Sequence, residues 1–210
     1  MITLPEECYY IIFNNLRPRL KNLFSCALVN RYWCRIVIPI LWNDPKDYLK
    51  DIRLIEILLL SLNSNEQILL IPFKISLPNY QKPLFEYTSY ITNVNDLLDL
   101  GIIKWLRYKK YHLGRELANA MKSSLVVMFL RTSKNLSCLT LNEIICNQII
   151  FEKLYENSNV TSLDLYNVSD DFKSKTINAL AKLLYENPTL TSVDLFDNKI
   201  DIEDMKEVKH

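Results

Sequence analysis

Glycine and histidine are nearly missing from this chain, with two of each in 210 residues. Gly101 and Gly114 alone cannot build a P-loop or a dinucleotide fingerprint, which need several glycines at fixed spacing. His112 and His210 form no His-Glu-x-x-His pair, and no Gly-x-Ser-x-Gly occurs. The cysteines, Cys8, Cys26, Cys34, Cys138 and Cys146, are odd in number and contain no CxxC pair. Zinc sites and secreted disulfide frameworks use tighter spacing. Buried, reduced thiols acting as small apolar residues are therefore expected, which suits the cytoplasm or nucleus. A formal net charge of +1 provides no global field to attract nucleic acid or an anionic membrane. The longest greasy run, Leu54 to Leu62, is interrupted by Glu56 and falls far short of the ~20 residues of a membrane span. The opening Met-Ile-Thr-Leu-Pro-Glu-Glu has no basic region and is not read as a secretory signal. The Asn-x-Ser/Thr triplets at Asn135, Asn159 and Asn167 are accordingly read as chance. No cofactor, metal, nucleic acid or membrane is expected as a partner.

What is present is an ordinary globular composition, 49% hydrophobic and 23% charged, which excludes a disordered chain. Residues 4 to about 42 read as three short helices. Thr3 and Glu6 have capping-box spacing, and Pro5 fits a first helical turn. Cys8, Ile12 and Leu16 follow at helical spacing, and Pro18 stops that helix. Leu20, Leu23, Phe24, Ala27 and Leu28 form a second apolar stripe. Trp33, Ile36, Val37, Ile40 and Leu41 form a third, which Pro39 is expected to kink or divide. A helix is expected over 45–63, an ordered Pro/Tyr-containing loop over 78–92, and helices over 94–111 and 114–130.

From about residue 135 the pattern changes. Leu136-x-x-Leu139-x-Leu141, Val160-x-x-Leu163-x-Leu165 and Leu190-x-x-Val193-x-Leu195 share apolar residues at 0, +3 and +5. The last two positions alternate as in a short half-buried strand. Helical stretches, 143–156 and 172–186, lie between them. Strand plus helix at 20–29 residues is the signature of leucine-rich repeats. Of the asparagines such repeats place after the strand, Asn198 is in position, Asn167 is one place early, and Ile144 takes the place in the first copy.

Leu4-Pro5-x-Glu7-Cys8-x-x-x-Ile12-Phe13-x-x-Leu16, then Leu23, then Leu28-Val29-Asn30-Arg31-x-Trp33, resembles the F-box. Cys8 and Phe13 stand for a usual Leu, and Asn30 for a usual Cys. The Leu-Val-Asn-Arg-x-Trp-Cys spelling resembles a variant common in fungal F-box expansions. The C-terminal copies resemble the ribonuclease-inhibitor type of leucine-rich repeat, with Leu180-Ala181-Lys182-Leu183-Leu184 in the helix. The resemblance implies a mixed, mostly α fold. It has an F-box at 1–44, a helical linker region at 45–134 and a short α/β leucine-rich-repeat-like solenoid at 135–210, degenerate or truncated. It also implies a non-catalytic substrate-recognition adaptor of a Skp–cullin–F-box ubiquitin ligase. Leu4, Pro5, Ile12, Phe13, Leu16, Val29 and Trp33 would bind a Skp-type linker, and through it a cullin. Thr140, Ser162, Asp164, Ser192 and Asp194, on the strand face, would contact an unknown target protein.

Two other readings compete. A leucine-rich-repeat scaffold with no ubiquitin role would use the first helices only as a cap. Residues 104–112, Lys-Trp-Leu-Arg-Tyr-Lys-Lys-Tyr-His, interleave cations with aromatics and could stack bases; a helix with Ile102, Leu106 and Leu113 on its apolar face explains them equally. Acidic pairs, Asp170 with Asp171 and Asp201 with Glu203 and Asp204, read as solvated charge. No spacing proposes a cysteine nucleophile with His112.

Overall fold

A computed structural model describes residues 4–79, 83–112, 114–142, 144–166, 178 and 180–196. Thr3, Leu113, Asn167, Asn198, the acidic pairs after residue 169 and most of 172–179 lie outside the described residues. The described chain is mostly helical, with one small parallel sheet of four strands in sequence order.

Three helices open it: α1 (Glu6–Asn15), α2 (Leu20–Ala27) and α3 (Arg31–Trp42). Pro5 occupies the residue before α1 and offers no side-chain cap. Asn30 instead caps α3, its side chain accepting from the Trp33 N–H at 2.8 Å. A polar residue there satisfies a donor that the first helical turn would otherwise leave free. Pro39 does not divide α3, which runs through it to Trp42. The core of this module is Phe13, Leu23, Ala27, Ile36, Val37 and Ile40.

A second cluster begins at Leu49 and runs to Leu190, joining the middle helices and the strands in one core. The helix expected over 45–63 is split. A 3-10 turn (Lys46–Tyr48) comes first, and α4 (Ile52–Leu60) starts behind Asp51, whose carboxylate accepts from the Arg53 N–H. A short α5 (Ser64–Gln67) opens with a capping box between Asn63 and Glu66. Ile68–Phe73 then turns as a 3-10 helix carrying Pro72. The expected loop ends in a 3-10 turn (Tyr87–Tyr90) and an unforeseen strand, β1 (Asn93–Val94).

Next come α6 (Leu97–Tyr108) and α7 (Arg115–Thr132). Gly101 lets α6 pass close to the chain at Leu49, where a methyl group would collide with the Leu49 carbonyl oxygen. β2 (Cys138–Asn142), α8 (Gln148–Glu156), β3 (Ser162–Tyr166), a helix reaching 186 and β4 (Ser192–Phe196) complete the described chain. α8 starts later than expected because the Asn147 side chain caps it. Leu139, Leu163 and Val193 pair in register, as do Leu141, Leu165 and Leu195. Period-two alternation turns the intervening polar side chains to the other face.

Buried polar groups tie these turns together. Asn157 accepts from the N–H groups of Asn159 and Val160 and donates to the Leu130 carbonyl. Asn187 repeats the arrangement one unit later, with Thr189 and Leu190 as donors and the Leu154 and Asn157 carbonyls as acceptors. Leu130 and Leu154 belong to closing helical turns, where the regular helical donors run out; the Leu154 carbonyl also accepts from the Asn157 N–H at 3.3 Å. None of the five cysteines forms a disulfide, and all are half-buried rather than fully buried.

Candidate functional site

The first three helices enclose a small core and leave a large apolar remainder outside it. Tyr9, Phe13 and Trp33 pack ring against ring, with the Phe13 and Trp33 centroids 5.1 Å apart and edge-on. Their contact selects the buried face of α1. It runs through Tyr9, Phe13 and Leu16 rather than Cys8, Ile12 and Leu16. The helix is therefore turned by one residue, about 100°, from the expected orientation. Ile12 is 47% exposed as a result, with Tyr10 and Ile11 beside it also in water.

Of the seven residues expected on a linker-binding surface, Leu4, Pro5, Ile12 and Val29 face solvent. Leu16 and Trp33 are half-buried against the module core. Phe13 is not on the surface: at 2% exposure it belongs to that core, where a ring in place of the shorter aliphatic side chain meets Tyr9 and Trp33. The second apolar stripe is also only partly internal. Leu23 and Ala27 are buried, whereas Phe24 and Leu28 are 55% and 71% exposed. Tyr32 is exposed too; its phenol is pushed above the ordinary value, first by desolvation and then by Glu6, so it remains a neutral hydrogen-bonding group near pH 7.

The sequence contained a signal for these extra exposed residues. Ile11-Ile12-Phe13 and Leu28-Val29 are consecutive, and adjacent helical residues point about 100° apart, so one narrow core cannot take them all. In soluble proteins, contiguous exposed apolar patches are a common feature of interaction sites. The 40-odd residues are also too few to form a deep core.

The five expected target contacts fall into two rows across the sheet. Cys138, Ser162 and Ser192 pair in one row, and Thr140, Asp164 and Asp194 in the next. Asp194 is exposed and the other four expected residues are half-buried. Asp164 accepts from Ser162 Oγ at 3.1 Å and from Cys138 Sγ at 3.5 Å. Burial, and then the Asp164 charge, push the Cys138 thiol up to about 11. It is neutral near pH 7 and a poor nucleophile.

Two charged clusters escaped the sequence reading. Lys122, 1% exposed on α7, pairs with Asp99 of α6 at 2.8 Å and donates to the Tyr166 hydroxyl at 2.9 Å. The Tyr166 hydroxyl also donates to Asp99. Burial raises the Asp99 carboxyl above its ordinary range, and Lys122 pulls it back. Arg131 holds the buried Glu66 through two hydrogen bonds, at 2.6 and 3.1 Å, on the wall of an open cleft of about 780 Å³. Both clusters are internal ties between elements distant in sequence, which periodicity cannot reveal.

In the cation–aromatic segment Trp105 is not available as a stacking platform, whereas Tyr108 is exposed. Trp105 is fully buried, and Lys109 lies over its ring while pairing with Glu56 at 2.7 Å. Ile102 and Leu106 are buried, as the helical reading expects. Among the described residues, no group of three or more His, Cys, Asp or Glu is placed to hold a metal, and no helix is long and apolar enough to cross a membrane.

Comparison with known proteins adds one finding. Residues 1–46 match the F-box-like family. No curated protein and no solved structure matches the chain.

Proposed function

We propose that this chain is a substrate-recognition adaptor of a Skp–cullin–F-box ubiquitin ligase. The observation that carries the reading is the exposed apolar face of the first three helices, inside the segment that matches the F-box-like family. F-box domains bind Skp-type linkers, and such modules are typically non-catalytic. In this reading Leu4, Pro5, Ile12 and Val29 make the direct linker contacts, Leu16 and Trp33 lie at their margin, and Phe13 supports them from below. A cullin joins through the linker. The adaptor does no chemistry; it raises the local concentration of a bound target near the ligase.

The remainder of the chain presents the target. Strand and helix alternate from β1 onward with strands parallel and in order, which supports a leucine-rich-repeat-like array, degenerate in its spacing. The division is an F-box at 1–44, a helical region at 45–134 and repeats at 135–210, with Thr140, Ser162, Asp164, Ser192 and Asp194 offered to the target. The fungal-type spelling of residues 28–34 supports an origin in a fungal F-box expansion, and half-buried cysteines without disulfides suit the cytoplasm or nucleus.

Co-expression of the full chain with a Skp-type linker and a cullin tests the assignment. A stable three-protein complex is expected on gel filtration. Failure of the folded chain to enter it would leave the rival, a repeat scaffold outside the ubiquitin system, as the better reading.

A further inference from the structure

The N-terminal module and the body have separate cores, an arrangement that ordinarily permits one to swing on the other. Here a repeated hydrogen-bond pattern crosses between them. The Thr161 carbonyl accepts from the Thr191 N–H at 2.9 Å and the Thr191 hydroxyl at 3.1 Å. One strand earlier, the Ser137 carbonyl accepts from the Thr161 N–H at 2.9 Å and hydroxyl at 3.1 Å. The Thr92 carbonyl accepts in the same way from Ser137, at 2.9 and 3.0 Å. The series does not stop at β1. The Thr92 N–H and hydroxyl donate to the carbonyl of Asn43, at 2.8 and 2.6 Å.

Asn43 is the residue that ends α3. It stands where the carbonyl of a preceding repeat would stand. Trp42, beside it, stacks on Tyr87 with ring centroids 4.4 Å apart and packs against the body core. Asn43, Asp44 and Pro45 alone separate α3 from the next turn, and both Pro45 and Leu49 are buried. No flexible linker intervenes.

We infer that the end of α3 is the N-terminal cap of the strand stack, and that the hydroxyl ladder through Thr92, Ser137, Thr161 and Thr191 locks the module and the sheet into one rigid body. An exposed first strand is the weak point of a stacked array, and capping units protect it. The same lock fixes the direction in which the sheet face points relative to the apolar face of the module. This conclusion goes beyond the ligase reading and does not depend on what that face binds, so the chain alone suffices to test it.

Spin labels at Lys21 on α2 and Glu152 on α8, introduced through encoded keto side chains so that native cysteines stay untouched, report the relative placement by pulsed electron resonance. The wild-type chain is expected to give one narrow distance distribution. Trp42→Ala combined with Thr92→Val is expected to broaden it, and Thr92→Ser, which keeps the hydroxyl, to leave it narrow. Amide exchange provides the second readout. In Thr92→Val alone, which retains a strand-favouring shape, exchange in β1 is expected to quicken about tenfold, the effect of one lost hydrogen bond, and to fade from β2 to β4. A broad or split distribution in the wild-type chain would overturn the inference, as would Thr92→Val exchange that is unchanged or accelerated equally in all four strands.

Discussion

The first three helices and the body differ in what they leave outside. In the module, Leu4, Tyr10, Ile11, Ile12, Phe24, Leu28, Val29 and Tyr32 face water around a core of only six residues. In the much longer body, most side chains of the same types fill a continuous core from Leu49 to Leu190, pinned by the buried polar groups Lys122, Asn157 and Asn187, although some, such as Ile68, Ile71 and Leu84, are exposed. Substitutions in the body should therefore affect stability, and substitutions on the module face should affect association. Separating those two readouts gives the comparison its content.

The largest effect is expected at Lys122. Lys122→Met leaves Asp99 buried without its cation and should destabilise the body by ~3–5 kcal/mol, measured by urea unfolding. Replacing both partners, Lys122→Met with Asp99→Leu, should recover most of that loss, because the desolvation cost disappears with the second charge. The pH dependence follows the direction of the Asp99 shift. Burial holds its carboxyl pKa above the unfolded value, so the folded chain retains a proton that the unfolded chain releases. The contribution of Asp99 is complete below the ordinary carboxylate value and declines as pH rises through the raised one. Asp99→Asn should remove that slope from the urea midpoints.

Asn187→Ala comes next. It strips partners from the N–H groups of Thr189 and Leu190 and from the carbonyls of Leu154 and Asn157. A loss of about 3 kcal/mol is expected in thermal unfolding, at the upper end of the cost of unsatisfied buried groups. On the module the balance should reverse. Val29→Asp should weaken binding of a Skp-type linker by ~2 kcal/mol or more, while stability changes by no more than ~0.5 kcal/mol. A Val29→Asp chain that unfolds would erase the contrast between the regions. The smallest effect belongs to the sheet face. Asp164→Asn should bring the Cys138 thiol down toward its ordinary value, read as faster alkylation of that residue near neutral pH.

Local chemistry was legible where it is short-range. Pro18, the third apolar stripe and the three strand positions at 0, +3 and +5 lead directly to the helix end, the buried Ile36, Val37 and Ile40, and β2 to β4. The facing of α1 was not legible, because the choice between Ile12 and Phe13 is made by Trp33, twenty residues onward. β1 is two residues long and has no alternation to detect. A stronger repeat signal was available in the residues before the strands. Leu154-Tyr155-Glu156-Asn157 and Leu184-Tyr185-Glu186-Asn187 are identical in type, and the asparagine of each is the buried tie. Lys122 and Glu66 carried no signal at all, since a charge is assumed solvated until its partner is known.

Calorimetric titration of a Skp-type linker into the full chain, beside the Leu4→Asp, Ile12→Asp double variant, bears most directly on the role of the exposed apolar face. Saturable binding by the wild-type chain and none by the variant is expected, with the same melting temperature for both. Equal binding by the two chains would contradict that role.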